Sequence, residues 1–575
     1  MVSYVWDDLT CDESQVRELS GALRLDPLIS RILCLRGVTT PEAAQRFLRP
    51  SLDQLHDPFG LTGMRPAVDR LLAAIERHER IAIHGDYDVD GITSTVILRR
   101  TLELLGGDVG HFLPERIRDG YGLSAAAVER LHAEGVRLIV SVDCGIRSAD
   151  AGRRAREVGV DLIITDHHEP DADLPEALAI INPKQPGCTY PDKHLAGVGV
   201  AFKLVQALCS RTGHENWLPG FLKIAAIGTL ADVVPLVGEN RVIAKLGLDL
   251  LSKGPHKVGL RALLEASGLV GRAIDSFQVA FQIAPRVNAA GRMSTPDIAM
   301  RLLMASDEAD ADVARDLAAQ LNVENEKRQQ EDRALVVTAR RQAENDPEIG
   351  ARSVLVVAGE GWHRGVIGIV ASKLVEIFHR PAIVLSIDGD TAHGSCRSIP
   401  GFDMLAALEA QASFLQRFGG HRVAAGLTME STRIKAFRQA IAGWAEERLQ
   451  PDDLRPRLRL DALLRFRQIT PALAAGIAAL APFGAGNPKP LFHGSGLVVA
   501  DGPRRLKDRH LSLSLRQDGV AYRGVFWRGA ERLEAIDAAR GALDVAYSIE
   551  QNTFNGTTRV EVSLADARAA EQEHA

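Results

Sequence analysis

The chain has 575 residues, 46% hydrophobic and 25% charged, enough apolar material for the cores of about three to five domains at ~100–200 residues each. Its 68 Lys and Arg against 74 Asp and Glu leave a formal charge of −6, which argues against indiscriminate coating of nucleic acid but leaves room for local basic grooves. The six cysteines (Cys11, Cys34, Cys144, Cys188, Cys209, Cys396) contain no Cys-x-x-Cys pair, which disfavours a zinc ribbon or a disulfide framework and predicts reduced thiols in a cytoplasm.

No apolar run approaches the ~18 residues needed to span a bilayer, and Val2–Asp8 shows no basic stretch ahead of an apolar core, so neither a membrane segment nor a signal peptide is expected. Residues 1–50 read as a small helical preface without evident chemistry. Within it, Thr40-Pro41-Glu42 suits an N-cap, a first-turn proline and an acid near the helix dipole.

From about 65 to 210 apolar strands alternate with amphipathic helices. Strands are predicted at Arg80–His84, Val109–Leu113, Arg137–Val142, Asp161–Thr165 and Ala177–Ile181. Helices are predicted from Ile92 to Leu105 and over Ser124–Glu134 and Ser148–Val158. That alternation implies a parallel sheet with helices on both faces, where ligands bind beyond the carboxyl ends of the strands.

Polar residues gather at those ends. The first strand runs into His84-Gly85-Asp86-Tyr87-Asp88-Val89-Asp90-Gly91. In an extended backbone Asp86, Asp88 and Asp90 would share one side, and three such carboxylates repel one another unless a cation sits among them. A solvated acidic turn is the bland alternative. The second strand leads into Glu115-Arg116 and Gly120-Tyr121-Gly122, the third into Asp143-Cys144-Gly145, the fourth into Asp166-His167-His168. A lone Asp after a strand is more often a helix cap; four strand ends with acids or imidazoles on one rim make a coherent site.

Farther on, Asp232 lies among apolar residues, where a carboxylate needs a partner, and Pro285-Arg286-Val287-Asn288-Ala289-Ala290-Gly291-Arg292 reads as a basic loop. Residues 297–346 contain neither Gly nor Pro. A short stripe of Val313, Leu317 and Leu321 precedes a polar stretch over 322–333, predicting a long helix that bridges domains through solvent. A second α/β unit over about 351–450 carries three Gly-flanked basic loops at Gly361–Gly365, Gly394–Ser398 and Gly419–Gly426, suited to an anionic ligand. From about 455 short alternating strands predict a small barrel. There Arg504–His510, Tyr522 and Trp527 give the charge-plus-aromatic mixture of an oligonucleotide-binding fold, a solvated hairpin being equally compatible.

With Asp166-His167-His168 and the acidic motif upstream, the chain resembles the DHH phosphoesterase superfamily. The further set Arg116, Asp143, Asp232, Arg286–Arg292, Gly361–Gly365, Gly394–Ser398 and Gly419–Gly426 resembles, in order, the RecJ family of single-strand-specific 5′→3′ exonucleases. One departure is Cys396, where a small residue such as Ala is expected. The resemblance implies an α/β multidomain fold with a parallel-sheet DHH catalytic domain (51–305), a connecting helix (306–346), a DHH-associated α/β domain (347–452) and an oligonucleotide-binding β-barrel (453–566). The segment 1–50 precedes these and a tail, 567–575, follows.

The same resemblance assigns Asp88 and Asp143, with His84, to one Mn²⁺ or Mg²⁺ ion. It assigns Asp90, Asp143, His167 and Asp232 to a second, with Asp86 and His168 beside them. Arg116, Ser395 and Arg397 would grip a 5′-terminal phosphate, with Arg286, Asn288, Arg292 and His421 also on the substrate. Oxygen-rich ligands with one or two imidazoles suit those hard ions. The implied activity is hydrolysis of single-stranded DNA to 5′-mononucleotides in recombination and repair, by a cytoplasmic monomer working with a helicase and a single-stranded-DNA-binding protein. A phosphoesterase for short oligonucleotides, cyclic dinucleotides or pyrophosphate, and a non-catalytic scaffold, are the rivals.

Overall fold

The first apolar runs assemble into a five-stranded parallel sheet in a computed structural model, which describes residues 4–570 except 117, 121, 508, 540, 555 and 556. Tyr121, Asp508 and the tail residues 571–575 therefore lie outside the described residues. The strands Val109–Phe112, Ile81–His84, Leu138–Val142, Asp161–Thr165 and Ala179–Ile181 lie in that spatial order. The second strand in sequence lies outside the first, and the third lies on the first strand's other side. The connections thus diverge between Ile81–His84 and Leu138–Val142, the switch point where doubly wound sheets hold ligands.

Both of those central strands are wholly buried, as expected of a sheet covered on both faces. The helix Val89–Leu104 behind them is buried nearly all round. It tolerates Thr93, Ser94, Thr95 and Thr101 because each hydroxyl donates to a carbonyl four residues back, at 2.7–2.8 Å.

The predicted solvent-bridging helix is one 35-residue helix, Ala311–Asn345, roughly 52 Å long at 1.5 Å per residue. It is not polar all round in effect: Ala314, Leu317, Ala318 and Leu321 join the first unit's helical core, while Leu335, Ala339 and Ala343 join the next unit's core. Val313 of the expected stripe is exposed. The buried row runs through alanines, whose weak hydropathy hid it.

In the second unit Leu355–Glu360 pairs parallel with Ala382–Asp388, which continues antiparallel through Thr391–Arg397, Ala424–Glu430 and Leu415–His421. Two of the three expected glycine loops, 394–398 and 419–426, therefore lie largely in strands, where the ladder takes up most backbone groups and leaves the side chains to meet an anion. The third, 361–365, is a loop leading to the helix Ile367–Phe378. The C-terminal strands Phe492–Leu506, His510–Gln517, Val520–Phe526, Thr557–Ala569 and Leu543–Phe554 close into a barrel through pairing of the first with the last. The last strand runs on to Ala569, through positions read as tail.

The N-terminal preface proves to be part of that barrel unit. Val5–Asp8 pairs parallel with Arg457–Leu460. Ile29, Ile32 and Phe47 share one core with Ile477, Leu480 and Phe492.

Candidate active site

The acidic turn is tighter than an extended reading allows. The helix starts at Val89, with Asp88 as its N-cap accepting the Gly91 N–H at 3.1 Å, so Asp90 sits in its first turn. Gly91 is required there because a Cβ would stand 2.5 Å from the Asp86 N and 2.6 Å from its O. The three acids consequently separate. Asp86 and Asp88 group with Asp143, whereas Asp90 groups with His167 and Asp232, and a third group joins Asp143, His167 and His168. Within each group the ligand atoms lie inside 4.8 Å of one another.

Each side chain is delivered by a strand or helix end. Asp143 ends the third strand with a φ of 60°, a left-handed conformation that Asp tolerates better than most residues. Asp90 accepts the Gly197 and Val198 N–H groups, both at 2.7 Å, from the first turn of the helix Gly197–Thr212, where free amides and the dipole favour an anion. That helix must start with glycine, since a Cβ at Gly197 would meet Asp143 Oδ1 at 2.4 Å. Asp232 is the C-cap of the helix Leu218–Ala231.

Asp166 is a functional residue the sequence reading left without a role. It accepts the N–H groups of Ile146, His167 and His168 at 3.0, 2.7 and 3.1 Å, and His168 Nδ1 lies 2.7 Å from it. Burial opposes its charge, yet the His168 bond and these amides hold its pKa below the usual range. Burial likewise opposes protonation of His168, but the Asp166 carboxylate raises its pKa. A carboxylate two residues ahead of an imidazole was the available signal.

The cluster fits a hard cation by its own electrostatics. Burial, then mutual repulsion, pushes Asp86 and Asp143 well up, Asp90 to about 7 and Asp232 to about 9. Burial and the His168 charge push His167 down to about 3, so its ring is neutral. His167 Nε2 nevertheless lies 3.2, 3.7 and 3.9 Å from oxygens of Asp143, Asp232 and Asp90. Neither that Nε2 nor Asp143 Oδ1 has a hydrogen-bond partner. A neutral nitrogen and several carboxylates converging without partners are relieved by a divalent ion. His84 stands apart from these groups: its Nδ1 is 3.6 Å from Cys144 Sγ, and burial lowers it to about 4.

Three guanidiniums gather beside the acidic turn. Arg116 lies over the Tyr87 ring at 5.3 Å. Burial and the Arg116 charge lower Arg292 to about 10, and burial, with Arg116 adding, lowers Arg397. Among the described residues none of the three is in an ion pair. Ser395 and Arg397 share a strand face at alternate positions, their side chains 3.3 Å apart, while Cys396 points the other way into the core. The departure at Cys396 therefore leaves this face intact. Partial burial, then the charges of Arg147, His168 and Lys184, lower the pKa of His421.

The expected basic loop at 285–292 is the helix Ala284–Met293 instead. Pro285 in its first turn and the alanines after it favour that conformation. Its residues divide the work: Asn288 Oδ1 accepts the Val89 N–H at 3.1 Å and so braces the acidic turn, and Arg286 Nε donates to Asn322 of the long helix at 2.6 Å. Only Arg292 turns toward the guanidinium cluster, with one Nη bonded to the Gly365 carbonyl at 3.0 Å.

Family comparisons align with these units: residues 80–229 match the DHH family, N-terminal domain, 351–447 the DHHA1 domain and 460–566 the RecJ OB domain. The single-stranded-DNA-specific exonuclease RecJ of Bacillus subtilis (strain 168) is 38% identical over 98% of this chain and 71% of its own length. That of Escherichia coli (strain K12) is 34% identical over 94% and 95%. The crystal structure of RecJ in complex with Mn²⁺ from Thermus thermophilus superposes with a TM-score of 0.84 at 34% identity, covering 98% of this chain and 80% of that one. A likeness that extends over catalytic unit, connecting helix and barrel together is more than a shared module, and the chain belongs to the RecJ family of single-stranded-DNA-specific exonucleases.

Proposed function

We propose that this chain hydrolyses single-stranded DNA from the 5′ end to 5′-mononucleotides, using two Mn²⁺ or Mg²⁺ ions. The carrying observation is the pair of ligand groups, Asp86/Asp88/Asp143 and Asp90/His167/Asp232, joined where Asp143 Oδ1 faces His167 Nε2 at 3.2 Å. Asp143 would serve both ions. Bound there, such a pair supplies a water of lowered pKa and neutralises charge on the reacting phosphate.

The chain's own groups do the rest. Arg116, Arg292, Arg397 and Ser395 hold the terminal phosphate, a task suited to planar guanidiniums that form no ion pair among the described residues. The first turn of the helix Ile367–Phe378 presses on this pair, for a Cβ at Gly368 would stand 3.0 Å from Ser395 Oγ and 3.2 Å from Arg397 Nη2, adding a helix N-terminus to the pocket. Asp166 holds the His168 ring beside the cluster through Nδ1 at 2.7 Å, and His421 reaches the phosphate from the facing unit. Gripping the end beside the cluster is what restricts attack to the 5′ side.

The barrel guides the strand behind the cleft. The setting is the cytoplasm, in recombination and repair, by a monomer recruited through a helicase and a single-stranded-DNA-binding protein. The test is digestion of 5′- and 3′-labelled strands with each metal and with EDTA. The 5′ label is expected to appear as a mononucleotide from the first time point and the 3′ label as a shortening ladder. Internal cuts, or equal turnover in EDTA, would overturn the reading.

A further inference from the structure

The helical segment that braces the acidic turn begins at Ser276 and opens with an exposed aromatic pair. Phe277 and Phe281 are 59% and 66% exposed, with ring centroids 4.7 Å apart and planes at 33°. Packing does not require them: Val279 and Ile283 are the residues buried there, in the cluster that holds Ile227 and Leu230 of the helix Leu218–Ala231. The five residues Val279–Ile283 form a π-turn, a widened turn frequent at functional sites.

The position of the pair says what it meets. The helix Leu218–Ala231 ends at Asp232, and Val233 after it is 67% exposed. Leu236 N–H donates to the Ala485 carbonyl at 2.7 Å, and Ser276 Oγ to the Phe483 carbonyl at 2.6 Å. The rings thus stand on the seam between the metal-ligand cluster and the segment that leads into the barrel. Phe281 and Asn288, which holds the Val89 amide, are seven residues apart, roughly 10 Å along a helix axis, a separation that a short stretch of single strand spans. Two partly exposed rings offer ~200–300 Å², far below the ~800 Å² each partner gives a stable protein interface, but enough for two bases.

We propose that Phe277 and Phe281 form a base-stacking platform that receives the strand a few nucleotides behind the scissile bond. The proposal rests on the single-strand exonuclease reading and deepens it: affinity there comes from base faces, independent of sequence, while the arginines hold the end.

The experiment moves a single abasic nucleotide stepwise from the 5′ end of a 5′-phosphorylated strand and measures affinity in an Asp143→Asn background, where the strand survives. Stacking on aromatic side chains predicts a loss of about 10-fold when the abasic position reaches the rings. Phe281→Ala should lose as much with the intact strand, and the abasic nucleotide should then cost nothing further. Phe281→Trp should restore affinity, whereas Phe281→Leu should not. An abasic penalty of equal size with and without Phe281, or Leu serving as well as Phe, overturns the platform and points to an apolar docking face for a protein. Failure of the unsubstituted chain with Mn²⁺ to degrade any strand overturns the exonuclease reading, and the platform falls with it.

Discussion

Asp143 carries two burdens, a left-handed backbone and a place among buried carboxylates. Asn tolerates the same φ, so Asp143→Asn isolates the charge. Cleavage of a labelled strand is expected to fall ~10³-fold or more, the scale of losing a preorganised charge contact, while anisotropy shows the strand still bound. The metal-free melting temperature should rise, because one repelling carboxylate is gone. Arg397 acts on a different part of the substrate. Arg397→Ala removes one guanidinium from the anion pocket, and the preference for a 5′-phosphorylated end over a 5′-hydroxyl should drop ~10-fold, the worth of a charge-assisted hydrogen bond. An unchanged ratio on matched strands would remove Arg397 from that pocket.

At the scale of elements, the site is made of termini that meet. The N-terminus of the helix Gly197–Thr212 caps Asp90, the C-terminus of the helix Leu218–Ala231 supplies Asp232, and the helix Ala284–Met293 holds the acidic turn through Asn288. Asp90 at about 7 and Asp232 at about 9 are raised by burial first, then by the Asp88 charge on Asp90 and by the Asp90 and Asp88 charges on Asp232. The unfolded chain loses these protons near 4, so between about pH 4 and 9 the metal-free folded state binds more protons than the unfolded one. The sign follows: stability from these groups falls as pH rises through that window. A divalent ion binds the ionised form, so the melting-temperature gain on adding Mn²⁺ should grow from acid to pH 9. Scanning fluorimetry with Mn²⁺ and with EDTA checks it, and a gain independent of pH would contradict the cluster's electrostatics.

Across the whole molecule, the chain's two ends cooperate. The N-terminal helices fill one side of the barrel unit's core, and Trp6 Nε1 donates to Asp566 at 3.0 Å. Arg241 of the catalytic unit pins that assembly in place. Its guanidinium lies 3.6 Å from the Phe47 ring centroid and donates to the carbonyls of Phe47, Leu480, Ala481 and Pro482. Arg241→Ala strands several buried carbonyls and should cost ~3 kcal/mol or more. Degradation of long strands should fall more than that of short ones, since a loosened barrel lowers the effective concentration of its contacts. Melting curves and a length series measure both effects.

The order of strands and helices and the acids and imidazoles at the strand ends were legible in the sequence because each depends on local periodicity or on residue types at short spacing. What only the tertiary structure decided is which termini meet: Asp90 parting from Asp86 and Asp88, Asp166 orienting His168, and a helix at 285–292 whose Asn288 braces the acidic turn. The union of the N-terminal helices with the barrel, and the alanine-lined burial of the long helix, belong to the same class. These contacts join residues tens to hundreds of positions apart, and alanine, amide groups and solitary side chains leave no periodic trace from which such pairings could be read.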